Sequence, residues 1–213
     1  MTDLNDNLVY SATVLEFTTV ANEYCSFVEH AASFSKRDFI SKSQKLLALL
    51  YAKAAVLPEV FTESDELLEK FVQEFHYEAV RDAVAARLST HEQFVFMISP
   101  EMRTVSEAEN VSIAEAYADI YQDLKDFVMS YRQGINEVMS EALWVCKTNF
   151  EQFWGNRLLS VLNMLHAILY SGDDLDNEAP ETGAKSKTKK SSNRMFDQYK
   201  ENLGFEDDDD FEF

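Results

Sequence analysis

A chain of 213 residues with 46% hydrophobic content is long enough for one self-sufficient core, or for one domain plus a tail. Its 38 acidic residues against 19 basic ones give a formal charge of −19. That balance excludes direct duplex nucleic-acid binding by the body, because such a surface repels phosphate, and makes a basic protein groove the natural complement. Five glycines and three prolines are too few to punctuate an all-β chain, so the expectation is helices joined by short links. Met1-Thr2-Asp3-Leu4-Asn5-Asp6 has neither the basic nor the apolar part of a secretory signal. The richest apolar run, Leu46 to Leu57, is broken by Lys53 and is too short to span a bilayer. Cys25 and Cys146 fall at apolar positions of helical patterns, as expected of free buried thiols in a reducing cytoplasm.

In chain order, residues 8–31 read as a first helix whose inward face is Val14, Phe17, Ala21, Tyr24/Cys25 and Val28, spaced by threes and fours. A second spans 36–56, with Phe39/Ile40, Leu46/Leu47, Leu50 and Ala54 inward, and Pro58 ends it. A third is expected over 64–88, capped by Thr62 or Ser64. Its apolar face is Leu67/Leu68, Phe71/Val72, Phe75, Ala79, Val84 and Leu88. Phe94-Val95-Phe96-Met97-Ile98 is strand-like in composition but has no evident strand partner, so an extended connector or a short helix is expected.

The fourth helix has the clearest start. Ser112 and Glu115 fit the S-x-x-E capping box, and Ile113, Tyr117, Ile120, Leu124, Phe127/Val128 and Tyr131 recur at helical spacing up to Gly134. A fifth pattern covers 136–170, with a bend expected near Gly155. The result is an all-α antiparallel bundle of about five helices in residues 1–172.

Residues 173–213 differ, with 13 acidic and 6 basic residues for a net charge of −7, leaving −12 to the body. They comprise an acidic turn-rich stretch, a basic serine-rich linker from Lys185 to Arg194, and an acidic-aromatic tip from Phe205 to Phe213. Segregated charge and low hydrophobicity read as a disordered tail. Within it, Met195/Phe196, Tyr199 and Leu203 have the spacing of a short amphipathic helix, too short to persist alone in water.

Candidate chemistry is sparse. Asp119, Asp123 and Asp126 lie at i, i+4 and i+7 and therefore on one side of the fourth helix. Such carboxylates suit Mg²⁺ or Mn²⁺, but the same stripe is what a solvated helix face looks like, and that is the preferred reading. The Glu-x-x-His pairs of di-iron bundles are absent, because Phe27, Gln73, Leu88 and Asn163 stand three before the four histidines. His91-Glu92 lacks a second histidine at position 95, which is Val. Glu63/Glu66 and Glu66/Glu69 give half of the carboxylate signature of all-helical nucleotide pyrophosphatases, with no Glu-x-x-Asp following at a suitable distance. There is no G-x-S-x-G, no glycine-rich phosphate loop, and no catalytic signature around either cysteine. Trp144, Phe150, Phe153, Trp154 and Tyr170 are expected to be mostly core. His166, among Leu162, Leu165 and Leu169, is expected to be a satisfied structural residue.

Two word-like motifs stand out. Asp119-Ile120-Tyr121-Gln122-Asp123-Leu124-Lys125 is the first; Phe150-Glu151-Gln152-Phe153-Trp154-Gly155, preceded by Glu141-Ala142-Leu143-Trp144, is the second. Together they resemble a family of small bacterial all-helical proteins known only as a domain of unknown function. The resemblance implies a helical fold and a bacterial host, and it implies no activity. It marks Asp119, Tyr121, Asp123, Lys125, Trp144, Phe150, Trp154 and Gly155 as motif positions. It also implies histidines one before the Trp and two after the Gly, where this chain has Phe153 and Arg157. A metal or acid–base role of such a pair is therefore not carried over.

The tip resembles a different group. Asp208, Asp209 and Asp210, then Phe211, a spacer and the terminal Phe213, are similar to the acidic tip of bacterial single-stranded-DNA-binding proteins. Glu212 stands where that tip usually has proline. The expected function is a non-catalytic cytoplasmic interaction module. Phe205, Asp208, Asp209, Asp210, Phe211 and Phe213 would engage a basic groove on a protein partner, with no cofactor. The alternative is a metal-dependent hydrolase using Mg²⁺ or Mn²⁺ on Asp119, Asp123 and Asp126.

Overall fold

Serine starts three of the helices. Ser11, Ser35 and Ser112 each stand in extended backbone, and their hydroxyls accept from the amides of Val14 (3.4 Å), Asp38 (3.2 Å) and Glu115 (3.1 Å). Each satisfies a donor that the first helical turn leaves unpaired. The computed structural model describes residues 8–60, 68–89, 93–96, 109–172 and 175. Among these, the helices are α1 (Ala12–Glu29), α2 (Lys36–Ala55), α3 (Glu74–Leu88), α4 (Ile113–Tyr131), α5 (Asn136–Asn149) and α6 (Gly155–Tyr170). A 3-10 turn, Ala31–Ser33, joins α1 to α2, and a five-residue π turn, Phe150–Trp154, joins α5 to α6. None of the described helices is long and apolar enough to cross a membrane.

The fold is the expected all-α bundle, and α4 is its axis. Thirteen of its 19 residues are buried, more than a one-sided surface helix shows. It packs against α1, α3, α5 and α6, while α2 closes the bundle against α1 and α6. The predicted inward face of α1 is buried at every position, and so are Phe39, Ile40, Leu47, Leu50 and Ala54 of α2. Stacked and tilted rings of Tyr24, Tyr117, Phe39 and Phe27 tie α1, α2 and α4 together. Gly134 sits at φ +70° in the turn after α4, a conformation that glycine adopts without steric cost.

Two expectations are corrected. The third helix begins at Glu74, not near residue 64. Residues 68–73 have no regular secondary structure, and the Phe71 and Val72 amides donate to the Asp126 carboxylate (2.8 and 3.0 Å) instead of entering a helical ladder. The helix then starts where the Gln73 amide meets Nδ1 of His76 (3.2 Å). Its inward residues are Val80, Val84 and Leu88, whereas Phe75 and Ala79 are exposed. Thr62, Ser64 and Leu67 lie outside the described residues.

The strand-like run also finds a partner. Gln93–Phe96 pairs antiparallel with Glu109–Ser112, in the register Gln93 to Ser112 and Phe96 to Glu109. This short ladder leads directly into α4. The bounds and disorder expected of residues 173–213 fall outside the described residues, apart from Leu175, and so does the whole acidic-aromatic tip.

Candidate functional site

The first motif wires α4 to its neighbours. Asp119 accepts from the Tyr77 hydroxyl of α3 (2.9 Å) and pairs with the Arg157 guanidinium of α6 (2.7 Å). Asp123 accepts from the Asn149 amide of α5 (2.8 Å). Asp126 holds residues 70–72, through the two amides above and the Lys70 ammonium at 3.2 Å. On the adjacent side of the helix, Tyr121 (2.8 Å) and Lys125 (2.6 Å) both donate to Glu29 of α1. Successive motif residues therefore address different elements.

The preference for a solvated aspartate stripe is corrected by this arrangement. Asp126 is only 7% exposed, and all three carboxylates sit where other segments cover α4. Each carboxylate has at least one oxygen engaged by an N–H, O–H or cationic donor from another segment. Among the described residues, no group of three or more His, Cys, Asp or Glu side chains is placed to hold a metal ion.

The second motif builds the joint between α5 and α6. Trp154 is fully buried, and its indole N–H donates to the Cys146 carbonyl (3.2 Å). Phe150 tilts against it at 4.7 Å and meets Tyr51 of α2 edge-on at 5.2 Å. The Gly155 amide bonds to the Phe150 carbonyl five residues back, which is what defines the π turn. A methyl group on Gly155 would collide with that carbonyl and lie 2.9 Å from the Phe150 ring.

The other aromatics of this region are not core. Trp144, Phe153 and Tyr170 are exposed, contrary to expectation. Arg157 stacks on the Phe153 ring at 4.4 Å while pairing with Asp119. At the two positions where histidines were implied, this chain thus has a cation–π pair that links the two motifs. His166 is exposed rather than lodged among leucines. It is nevertheless satisfied, by Gln44 at 3.2 Å and by the Tyr170 ring at 4.7 Å.

A recess lies between α4, α5 and residues 68–70, lined by Asp123, Asp126, Ser130 and Cys146 among others. Its volume of about 20 Å³ is room for a single water. Both cysteines are free and buried, as expected. Burial pushes the Cys25 thiol up to about 12 and the Cys146 thiol well above its ordinary value. Neither is a ready nucleophile, since reactivity follows the thiolate.

Two carboxylates titrate in opposite directions. Burial raises Glu29, but hydrogen bonds from Lys125 and Tyr121 more than offset this, so its pKa is lowered. Its contribution is present above the ordinary value of 4.5 and is lost as pH falls through the lowered one. Asp123 is raised by burial, despite the Asn149 hydrogen bond. The folded state therefore holds its proton more tightly, and stability falls as pH rises from 3.8 through the raised value. Asp123→Asn keeps an acceptor for Asn149 and carries no buried charge. It is expected to melt above the wild type at pH 7, with the difference closing below the ordinary aspartate range, in paired thermal melts.

Sequence reading missed Tyr77, Asn149, Lys70 and Glu29 as partners of the motif. Each lies 26 to 96 residues from its partner in the chain, so no local spacing points to it. Arg157 alone carried a signal, as a departure from the resembled pattern.

Comparison with known proteins agrees with this architecture. The profile of the family described as Domain of unknown function (DUF5063) matches residues 9–171. A protein from Bacteroides fragilis of known crystal structure is 36% identical, superposes with a TM-score of 0.70, and is matched over 78% of this chain and 98% of its own. No curated protein matches.

Proposed function

Given that the chain belongs to the DUF5063 family, we propose that its helical body is a scaffold and that its acidic-aromatic tip is a recognition peptide. The observation that carries this is the tip itself, where Phe205, Phe211 and Phe213 stand among Glu206, Asp207, Asp208, Asp209, Asp210 and Glu212. Apolar rings among acids are poor solubilisers. They suit a partner groove with an apolar pocket for Phe213 and a rim of Arg or Lys for the aspartates.

The body supports the division of labour. Its motif carboxylates are engaged between helices, and its thiols are buried. The partner is a protein with a basic groove, and resemblance of the tip to that of single-stranded-DNA-binding proteins points to an enzyme of nucleic-acid maintenance. Free buried thiols fit a bacterial cytoplasm.

The test is capture from host lysate by the full chain and by a form ending at Gly204, at low and moderate salt. A partner held only by the full chain, weakened by salt and competed by a peptide of residues 205–213 is the expected result. Identical partner sets overturn the reading. Removing Phe213 alone is expected to abolish this capture while leaving the melting temperature unchanged. Stabilisation by Mg²⁺ or Mn²⁺ that disappears in Asp119→Asn/Asp123→Asn favours the metal-dependent hydrolase instead.

A further inference from the structure

Residues 68–72 have no regular secondary structure of their own, and Leu68, Glu69 and Lys70 line the recess between α4 and α5. The described polar fastenings of residues 70–72 converge on one side chain, whereas Gln73 belongs to the start of α3, with its amide on Nδ1 of His76. Asp126 takes the Phe71 and Val72 amides on one oxygen, and the Lys70 ammonium lies 3.2 Å from the other. Helices are held by a ladder of bonds along their length, so opening one turn breaks several contacts at once. Here the loss of one carboxylate releases three.

Beneath this segment lies the small recess described above. The recess of about 20 Å³ separates it from the floor formed by Asp123, Phe127, Ser130, Ala142 and Cys146. Val72 is buried and Leu68 is partly so, while Glu69 and Lys70 are exposed. Lifting the segment uncovers one buried side chain, Val72, and two partly buried ones, Leu68 and Phe71, while the helices on either side keep their own hydrogen bonds. Segments with few buried apolar contacts occupy the low end of a protein's range of opening free energies.

From the convergence of these fastenings on Asp126 beside the recess, we propose that residues 68–72 are a strap clasped by Asp126. Its release opens the α4–α5 groove to solvent and uncovers Cys146 while the bundle stays folded. The groove so opened is acidic, with Asp123 and Asp126 on one wall. The proposal is independent of the role assigned to the tip.

Cys146 and Cys25 supply a built-in comparison. Both thiols are 2% exposed, but only Cys146 lines the recess; Cys25 lies on the buried face of α1. Iodoacetamide labelling of the full chain under native conditions, followed by mass spectrometry of the two cysteine peptides, separates local from global opening. Asp126→Ala is expected to accelerate modification of Cys146 by about tenfold to a hundredfold, the scale of losing hydrogen bonds to a charged group, with Cys25 unchanged. Asp126→Asn keeps an acceptor for the two amides and loses the charge facing Lys70, so its Cys146 rate should fall between wild type and Asp126→Ala. Equal acceleration of both cysteines, or of neither, overturns the clasp. Should Asp126→Ala fail to fold, Asp126→Asn is judged alone by the same criterion, Cys146 faster than in wild type and Cys25 unchanged.

Discussion

Trp154→Ala is expected to lower the unfolding free energy by about 3–5 kcal/mol, the range for removing a large aromatic from a packed core. The side chain is fully buried, its N–H satisfies the Cys146 carbonyl, and its ring is half of the Phe150–Trp154 contact. Truncation leaves a cavity at the joint and a carbonyl without its indole donor. For a body of this size the melting temperature should fall by roughly 6–20 °C. Urea unfolding followed by circular dichroism gives the free energy, and an unchanged slope with denaturant would locate the loss in the folded state. Trp154→Phe retains most of the ring and is expected to lose less. A loss below about 1 kcal/mol for the alanine variant would mean that the joint repacks freely.

Gly155→Ala is expected to destabilise by about 1–3 kcal/mol, as overpacking does. The sign is the informative part. In an ordinary helix interior the same change stabilises by about 1 kcal/mol, because alanine loses less backbone freedom on folding. Here the added methyl meets the Phe150 carbonyl and ring, and the carbonyl is fixed by its bond to the Gly155 amide. Adding Phe150→Ala to Gly155→Ala removes the ring clash and leaves the carbonyl clash. A double-mutant cycle should therefore show partial rescue. A stabilising Gly155→Ala would mean that the π turn readily reverts to α-helix.

The sequence is most transparent where local rules decide the structure. α1, α2 and α4 follow from apolar spacing plus a serine cap, and their inward residues are mostly the ones that spacing selects. The start of α3 was hidden for a physical reason. Leu68, Phe71, Val72 and Phe75 have helical spacing, but two of the backbone donors bind Asp126, 54 and 55 residues away. The strand pairing was hidden likewise, since Glu109-Asn110-Val111-Ser112 lacks strand character and is held in register by its partner.

The motif site shows the same limit. Spacing places Asp119, Asp123 and Asp126 on one side of a helix, but cannot say whether that side faces water. The answer depends on Tyr77, Asn149, Arg157 and the 68–73 segment, all distant in sequence. The aromatic final region misleads in the opposite direction: Trp144 and Phe153 look like core by type, yet α5 and the π turn present them outward.

The central position of α4 also sets the order in which the chain can be completed during synthesis. Tyr24 of α1 donates to the Tyr117 carbonyl 93 residues later, and Tyr131 donates to the Val9 carbonyl across 122 residues. The apolar face of α1 thus leaves the ribosome well before the helix that covers it. At about 5–20 residues per second, the interval is roughly 5–20 s. Such distant pairings also raise the contact order above that of a simple up-and-down bundle, which slows folding. Until α4 emerges the buried face of α1 lacks its main cover, so truncations ending before residue 113 are expected to show no cooperative urea unfolding.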